Sequence, residues 1–110
     1  MRSDEERLRD ILEAINNIEK YANQGKQVFE QEELIQVWIV HHLQMIGEAS
    51  AAMSTNLIEN NPEIPWRDII DFRNILVHEY FRVDTRIVWA IVTRELPQLK
   101  TTIIKILNQF

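Results

Sequence analysis

The sequence predicts an all-α protein, an up-and-down bundle of four to five helices. Its 110 residues include only two glycines and three prolines, so few positions interrupt a helix. Apolar residues recur at spacings of three and four along most of the chain, and the sequence has no alternating strand pattern. We therefore expect a single helical domain spanning residues 1–110.

The first of four main helices is predicted to open at Ser3. Glu6 follows three residues later, which is the spacing of a capping box. The sequence Asn23-Gln24-Gly25 is expected to end this helix. Its predicted apolar face consists of Leu8, Ile11, Leu12, Ile15 and Ala22.

The second helix is predicted from about Gln31 to Met53. We expect its apolar stripe to face the core, which gives His41 a structural role and leaves the neighbouring His42 exposed to solvent. Gly47 costs roughly 1 kcal/mol relative to Ala inside a helix, so we expect it to permit close contact with another helix. The stripe consists of Leu34, Val37, Trp38, His41, Met45 and Ala49.

The third and fourth helices are predicted in the second half of the chain. A loop containing Asn60, Asn61, Pro62 and Pro65 precedes the third helix, which begins at about Pro65 or Trp66. Asp84 is a suitable cap for the fourth helix. Pro97 lies inside the fourth apolar pattern and is expected to kink or split that helix.

Composition and charge exclude several classes of protein. The chain has no cysteine, which excludes disulfides and a thiolate zinc site, and we expect no cofactor or metal. Residues 1–10 are mostly charged, and no apolar run reaches the roughly 18 residues of a membrane helix. We expect a cytoplasmic protein without membrane contact. The net charge of −5 argues against a broad basic surface for nucleic acid.

The charge is unevenly distributed. Residues 27–66 contain no Lys or Arg, whereas the following segment contains a balanced mixture of cations and acids. Any contact with nucleic acid should therefore be local and lie in the second half of the chain. The acidic segment suits either a solvated helix face or a basic protein partner. Its acids are Glu30, Glu32, Glu33, Glu48, Glu59 and Glu63.

The run Arg-Asn-Ile-Leu-Val-His-Glu-Tyr, which contains Arg73, Asn74, His78 and Tyr80, holds the residues best suited to chemistry. Arginine grips phosphate with a planar fork, and histidine exchanges protons near neutral pH. Cleavage of RNA by its own 2′-hydroxyl needs a base, an acid and a cation for the charged phosphorane. Arg73 and His78 could supply these functions without a metal, and Asn74 could orient RNA or the histidine.

The spacing of Arg73 and His78 favours a site made by two chains. Five residues of helix correspond to about 7.5 Å of rise and about 140° of rotation, so the two side chains diverge unless the helix ends or distorts near Val77. One histidine is also too few for two proton transfers. A two-fold dimer would place two copies of both residues in one cleft, with Tyr80 at its rim.

A structural interpretation of the same residues fits the spacing equally well. Arg73 could pair with Asp68, Asp71 or Glu79, and His78 could lie at a helix end, where a cation is favoured. In that case the chain is an interaction bundle, its three tryptophans serve only packing, and neither residue matters beyond stability.

The same residues resemble the signature of the HEPN superfamily, in which Arg, a polar residue, a short spacer and His form a ribonuclease motif. The pattern is closest to the HepT-like toxins, whose signature Arg-x4-His-x-Tyr matches Arg73, His78 and Tyr80, with Asn74 as the polar residue. Further similar segments cover nearly the whole chain. They include Arg9-Asp10-Ile11-Leu12, Ile46-Gly47-Glu48-Ala49, Ile64-Pro65-Trp66, Val83-Asp84 and Leu96-Pro97.

The resemblance implies a helical homodimer that acts as the toxin of a toxin–antitoxin pair, with metal-independent endoribonuclease activity in an interface cleft. It implies catalytic roles for Arg73 and His78 and a supporting role for Asn74. The implied partner is a minimal nucleotidyltransferase antitoxin that transfers AMP from ATP to Tyr80. Related domains are non-catalytic, so the alternative is a nucleotide-binding or adaptor module that assists a nucleotidyltransferase.

Overall fold

The computed structural model describes residues 3–79 and 83–110, and within these ranges the protein is helical without a β-strand. This confirms the all-α fold class. The α-helices are α1 (Asp4–Ala22), α2 (Lys26–Gln31), α3 (Glu33–Ala51), α4 (Thr55–Asn60), α5 (Trp66–His78), α6 (Thr85–Ala90) and α7 (Leu96–Leu107), with a π-helical segment (Ile91–Glu95) between α6 and α7.

Helix α1 begins as the sequence predicts. The Ser3 hydroxyl accepts a hydrogen bond from the Glu6 amide, and the Glu6 carboxylate accepts one from the Ser3 amide, so the capping box is complete. Glu5 and Glu6 add negative charge at the positive end of the helix dipole. The helix ends at Ala22, immediately before Asn23-Gln24-Gly25.

Two short helices, α2 and α4, are not predicted by the sequence pattern. Helix α2 follows Gly25, whose φ of 101° lies in the region that favours glycine, and it buries Phe29. Helix α4 is capped by the Ser54 hydroxyl and buries none of its residues. Six residues are too few to display a helical period, so neither helix is distinguishable from a loop in the sequence.

Pro97 divides the last predicted helix into α6, the π-helical segment and α7. Proline has no N–H to donate, and its ring crowds the carbonyl four residues earlier, which here belongs to Thr93. The helix widens into a π-helical turn before the proline, where the Leu96 amide donates to the Ile91 carbonyl five residues back. Asp84 caps α6, where its side chain accepts from the Arg86 amide at 2.8 Å.

Helix α3 lies between α1 and α5, and α7 packs on α1. The core between the helices is aliphatic, and its largest fully buried side chains include Leu8, Ile11, Ile15, Ile18, Phe29, Ile39, Leu76 and Ile103. In the part of the chain that the structure describes, no helix is both long and apolar enough to cross a membrane.

The prediction for the two histidines of α3 was wrong. His42 is 5% exposed, and its Nδ1 lies 2.7 Å from the carbonyl oxygen of Trp38, whereas His41 is exposed. Helix α3 carries two overlapping apolar stripes, and the buried one contains Ile39, Leu43 and Ile46. The stripe that was predicted to face the core, which includes Leu34, Val37, Trp38 and Met45, is instead largely on the surface. Spacing alone does not distinguish the two stripes, because both have helical periodicity.

Candidate functional site

Helix α5 carries three of the four candidate residues. Arg73 is half-buried in the middle of the helix, Asn74 is exposed beside it, and His78 is exposed as the last helical residue. The Glu79 amide closes the helix by donating to the Ile75 carbonyl at 2.8 Å. Tyr80 lies outside the described residues, so its proposed role remains a prediction.

Arg73 lies where α5 approaches α3 most closely. A Cβ atom added at Gly47 would be 2.6 Å from Cγ of Arg73, nearer still to its Cβ, and 3.4 Å from the Ile69 carbonyl oxygen. Since carbon atoms in contact are normally about 3.5–4.0 Å apart, only glycine fits at position 47. The close helix contact predicted for Gly47 is therefore confirmed, and its partner is the aliphatic stem of Arg73.

The guanidinium of Arg73 is held by an amide and not by a carboxylate. Its Nη1 donates to Oδ1 of Asn74 at 2.7 Å. Its Nε is buried and has no hydrogen-bond partner. Within residues 3–79 and 83–110, Arg73 makes no ion pair with Asp68, Asp71 or Glu79, the acids that the structural interpretation offered. The positive charge of Arg73 is therefore not neutralised by these neighbours.

Arg86 shows the opposite arrangement. Its Nη2 lies 2.9 Å from Oδ2 of Asp84, and its Nε donates to Oδ1. The Arg86 side-chain hydrogen bond lowers the pKa of the Asp84 carboxyl below its ordinary value, and the same bond raises the pKa of Arg86. Arg86 is thus committed to a carboxylate, which makes it a less suitable phosphate ligand than Arg73.

His78 and Arg73 do not meet within one chain. Helix α5 is regular over both positions, so they are separated by about 7.5 Å along the axis and about 140° around it. The helix was predicted to end or distort near Val77, and it ends one residue later, at His78. His78 makes no hydrogen bond or ion pair with the described part of the chain. A group from outside this helix is needed to complete a site with both residues.

Exposed apolar side chains lie on several of the helices, including α5, which carries the candidate residues. On α5, Ile75 is 48% and Val77 is 43% exposed, and on α6 Ile87 is 53% exposed. The surface stripe of α3 adds Leu34 at 82%, together with Val37, Trp38 and Met45. Val37 also lines one groove with Val83 and Thr85, which follow the motif closely. The sequence contained a signal for this surface, because α3 has more apolar positions than one buried face requires.

A second groove lies beside the same stripe, at the junction of α1, α2 and α3. Its volume is about 690 Å³, and its lining includes Tyr21, Val28, Leu34, Trp38 and His41. Trp38 is anchored there by its Nε1, which donates to the Asn17 carbonyl at 2.9 Å, and by edge contact with the Tyr21 ring. The described residues contain no group of three or more His, Asp or Glu placed to hold a metal ion.

Comparison with known proteins gives consistent matches over nearly the whole chain. A family model described as "Ribonuclease HepT-like" matches residues 11–106. A protein of Thermococcus cleftensis named "Probable ribonuclease HepT" is 37% identical over 100 residues, which cover 90% of this chain and 91% of that protein. "Putative RNase MJ1380" of Methanocaldococcus jannaschii is 33% identical over 94 residues, covering 84% of this chain and 86% of that protein. No solved structure gives a significant match.

Proposed function

The chain belongs to the HepT-like ribonuclease family, and on that basis we propose that it is a metal-independent endoribonuclease and the toxin of a toxin–antitoxin pair. The observation that carries the proposal is the state of Arg73. Its guanidinium is fixed in position by Gly47 and Asn74 but is not paired with a carboxylate. Such a cation is available to bind the phosphate of a substrate.

The proposed reaction is an internal transesterification of RNA. A base removes the proton of a 2′-hydroxyl, and the resulting oxygen forms a bond to the adjacent phosphorus. The bond from phosphorus to the 5′-oxygen of the next nucleotide breaks, and an acid donates a proton to that oxygen. The products are a 2′,3′-cyclic phosphate and a 5′-hydroxyl. Arg73 stabilises the additional negative charge of the phosphorane, and His78 exchanges the protons.

We further propose that two copies of the chain form the cleft. Each chain places Arg73 and His78 on different sides of α5 and supplies only one suitable histidine. The surface stripe of α3 and the exposed apolar residues of α5 and α6 favour self-association, because contact between two copies would remove apolar surface from water. The stripe contains no carboxylate, and its one ionisable side chain is the imidazole of His41. An isologous contact therefore brings no carboxylates together at its centre.

Cleavage of single-stranded RNA in the presence of EDTA tests the catalytic assignment. We expect Arg73→Ala and His78→Ala each to lower the cleavage rate by at least about 100-fold, because each removes a group that acts in the transition state. Arg67→Ala is the matched control, since Arg67 is an exposed cation on another face of the same helix. Equal rates for the wild type and both folded variants would exclude these roles.

We propose that Tyr80 is the point of control by the antitoxin. Its phenol oxygen would attack the α-phosphorus of ATP. The bond from that phosphorus to the oxygen that bridges it to the β-phosphorus would break. Pyrophosphate would leave, and AMP would stay bound to Tyr80. A bulky anion two residues from His78 would obstruct the cleft and compete with RNA for Arg73.

Mass spectrometry after incubation with the cognate nucleotidyltransferase and ATP tests this modification. We expect AMP on Tyr80 and none on Tyr21, the other tyrosine of the chain, which packs against Trp38. Tyr80→Phe should remain active as a ribonuclease but resist neutralisation. Neutralisation of the toxin with Tyr80 unmodified would contradict the proposal.

One observation favours the second candidate, a non-catalytic nucleotide-binding or adaptor module that assists a nucleotidyltransferase. His78 has no hydrogen-bond partner among the described residues, whereas proton-transferring histidines are commonly oriented by a neighbouring group. This candidate predicts that the protein binds RNA or nucleotide through Arg73 without cleaving RNA, and that His78→Ala changes affinity alone.

A further inference from the structure

We infer that Gly47 is a positioning residue for Arg73, a role that rests on the proposed function of Arg73 as the phosphate ligand. Gly47 lies on α3, outside the Arg73–Tyr80 run, and has no side chain that could contact a substrate. Any effect of this position on RNA cleavage must therefore be transmitted through the residues that pack against it, and the nearest of these is Arg73.

The contact between the two residues fixes the first half of the Arg73 side chain. Cβ and Cγ of Arg73 occupy the space that a side chain at position 47 would fill. A glycine inside a helix destabilises it by roughly 1 kcal/mol relative to alanine, so α3 has a local disadvantage at this position. The close approach of α5 is the feature of the structure that requires a glycine there.

The contact also shields Nε of Arg73, which is buried and has no hydrogen-bond partner among the described residues. The stem packs against Gly47, and at the far end Nη1 donates to Oδ1 of Asn74. With both ends held, the guanidinium is oriented before substrate arrives, which reduces the entropy lost on binding.

A methyl group at position 47 should displace Arg73. Because the nearest clash is with Cβ of Arg73, which side-chain rotation cannot move, α5 would have to shift away from α3 by roughly 1–2 Å to restore ordinary carbon–carbon contact. A displacement of about 1 Å at a reacting centre can lower a rate by about 100-fold. Gly47→Ala should therefore resemble Arg73→Ala in cleavage, although alanine is the better helix former.

The first test uses the wild-type protein and needs no RNA cleavage. Side-chain ¹⁵N NMR can follow the Nε–H of each arginine, with the Arg73 signal assigned by its disappearance in Arg73→Lys. We expect this signal to be rigid and slow to exchange with water compared with that of the exposed Arg67. If the Arg73 signal is as mobile and as fast to exchange as that of Arg67, the inference is wrong.

The second test measures binding of a 2′-O-methyl RNA oligonucleotide, which lacks the attacking hydroxyl, as a function of salt. The slope of log K against log salt is negative, and losing one phosphate contact to single-stranded RNA reduces its magnitude by about 0.7. We expect that decrease in Arg73→Ala and in Gly47→Ala, with no further decrease in the double variant. A merely unfolded fraction would lower the amplitude and leave the slope unchanged.

Ile103→Val controls for stability. It removes one methylene from a fully buried residue of α7 and should lower the unfolding temperature while keeping the wild-type slope and cleavage rate. A folded Gly47→Ala with wild-type slope and rate would overturn the inference. If Gly47→Ala does not fold, the NMR comparison decides. If the wild type cleaves no RNA, the ribonuclease proposal fails, and the NMR and binding results still judge the role of Gly47.

Discussion

The contacts of Arg73 show what the sequence motif alone could not predict. The sequence identified it as a candidate phosphate ligand but left it free to pair with Asp68, Asp71 or Glu79, because spacing does not reveal which way a long side chain turns. In the structure Arg73 contacts Gly47 and Asn74 instead. The contact with Gly47 joins α3 to α5, and such long-range packing is not encoded in the local pattern.

We expect Asn74 to affect how strongly the Arg73 guanidinium attracts phosphate. Asn74→Ala removes the acceptor for Nη1 and should lower the cleavage rate roughly tenfold, equivalent to about 1.4 kcal/mol. Asn74→Asp keeps an acceptor but adds a negative charge beside the guanidinium, so it should lower the rate further by weakening attraction to phosphate. Asn74 is on the surface, so the unfolding temperatures of both variants should change little. An Asn74→Asp protein faster than Asn74→Ala would contradict this account.

At the scale of elements, the sequence predicted the helices whose ends have specific chemistry. The capping box at Ser3, the cap at Asp84 and the interruption at Pro97 are all confirmed. The orientation of α3 was not predictable, because two apolar stripes share one helix and only contact with α1 and α5 determines which is buried. The short helices α2 and α4 were not predictable either, because six residues are too few to display a helical period.

The start of α6 should lose stability in acid. Because the hydrogen bond from Arg86 lowers the pKa of Asp84 below its ordinary value of 3.8, the ionised carboxylate stabilises the folded state above that pH. This contribution disappears as the pH falls through the folded-state pKa. Asn caps helices well but carries no charge, so the wild type should exceed Asp84→Asn in unfolding temperature at pH 5–7, by a margin that shrinks below about pH 4. A pH-independent margin would contradict this.

At the scale of the whole molecule, the bundle leaves apolar side chains uncovered on several helices. One chain buries an aliphatic core efficiently, yet Leu34, Ile75 and Ile87 remain largely exposed. The same chain does not bring Arg73 and His78 together. We propose that a second copy of the chain covers part of this surface and completes the site, and that the exposed stripe of α3 belongs to the interface.

Leu34→Glu should separate the dimer without unfolding the chain. Leu34 is 82% exposed, so the substitution should change the stability of a monomer by no more than about 0.5 kcal/mol, while placing two carboxylates in the proposed interface. We expect sedimentation equilibrium to give a dimer for the wild type and a monomer for Leu34→Glu, with loss of cleavage. Ile104→Glu, on α7, is the matched control and should remain dimeric. A dimeric Leu34→Glu would exclude this face.

The central claim is that two histidines from two chains serve one cleft, and subunit mixing tests it most directly. Wild-type and His78→Ala chains are co-refolded at different ratios, and RNA cleavage is measured at constant total protein. If each cleft needs both copies of His78, hybrid dimers are inactive and the rate follows the square of the wild-type fraction. An equal mixture then retains about one quarter of the wild-type rate. Active hybrid dimers would contradict the requirement for both copies of His78. An equal mixture would then retain about one half of the wild-type rate if a hybrid is half as active, and about three quarters if one His78 is sufficient for full activity.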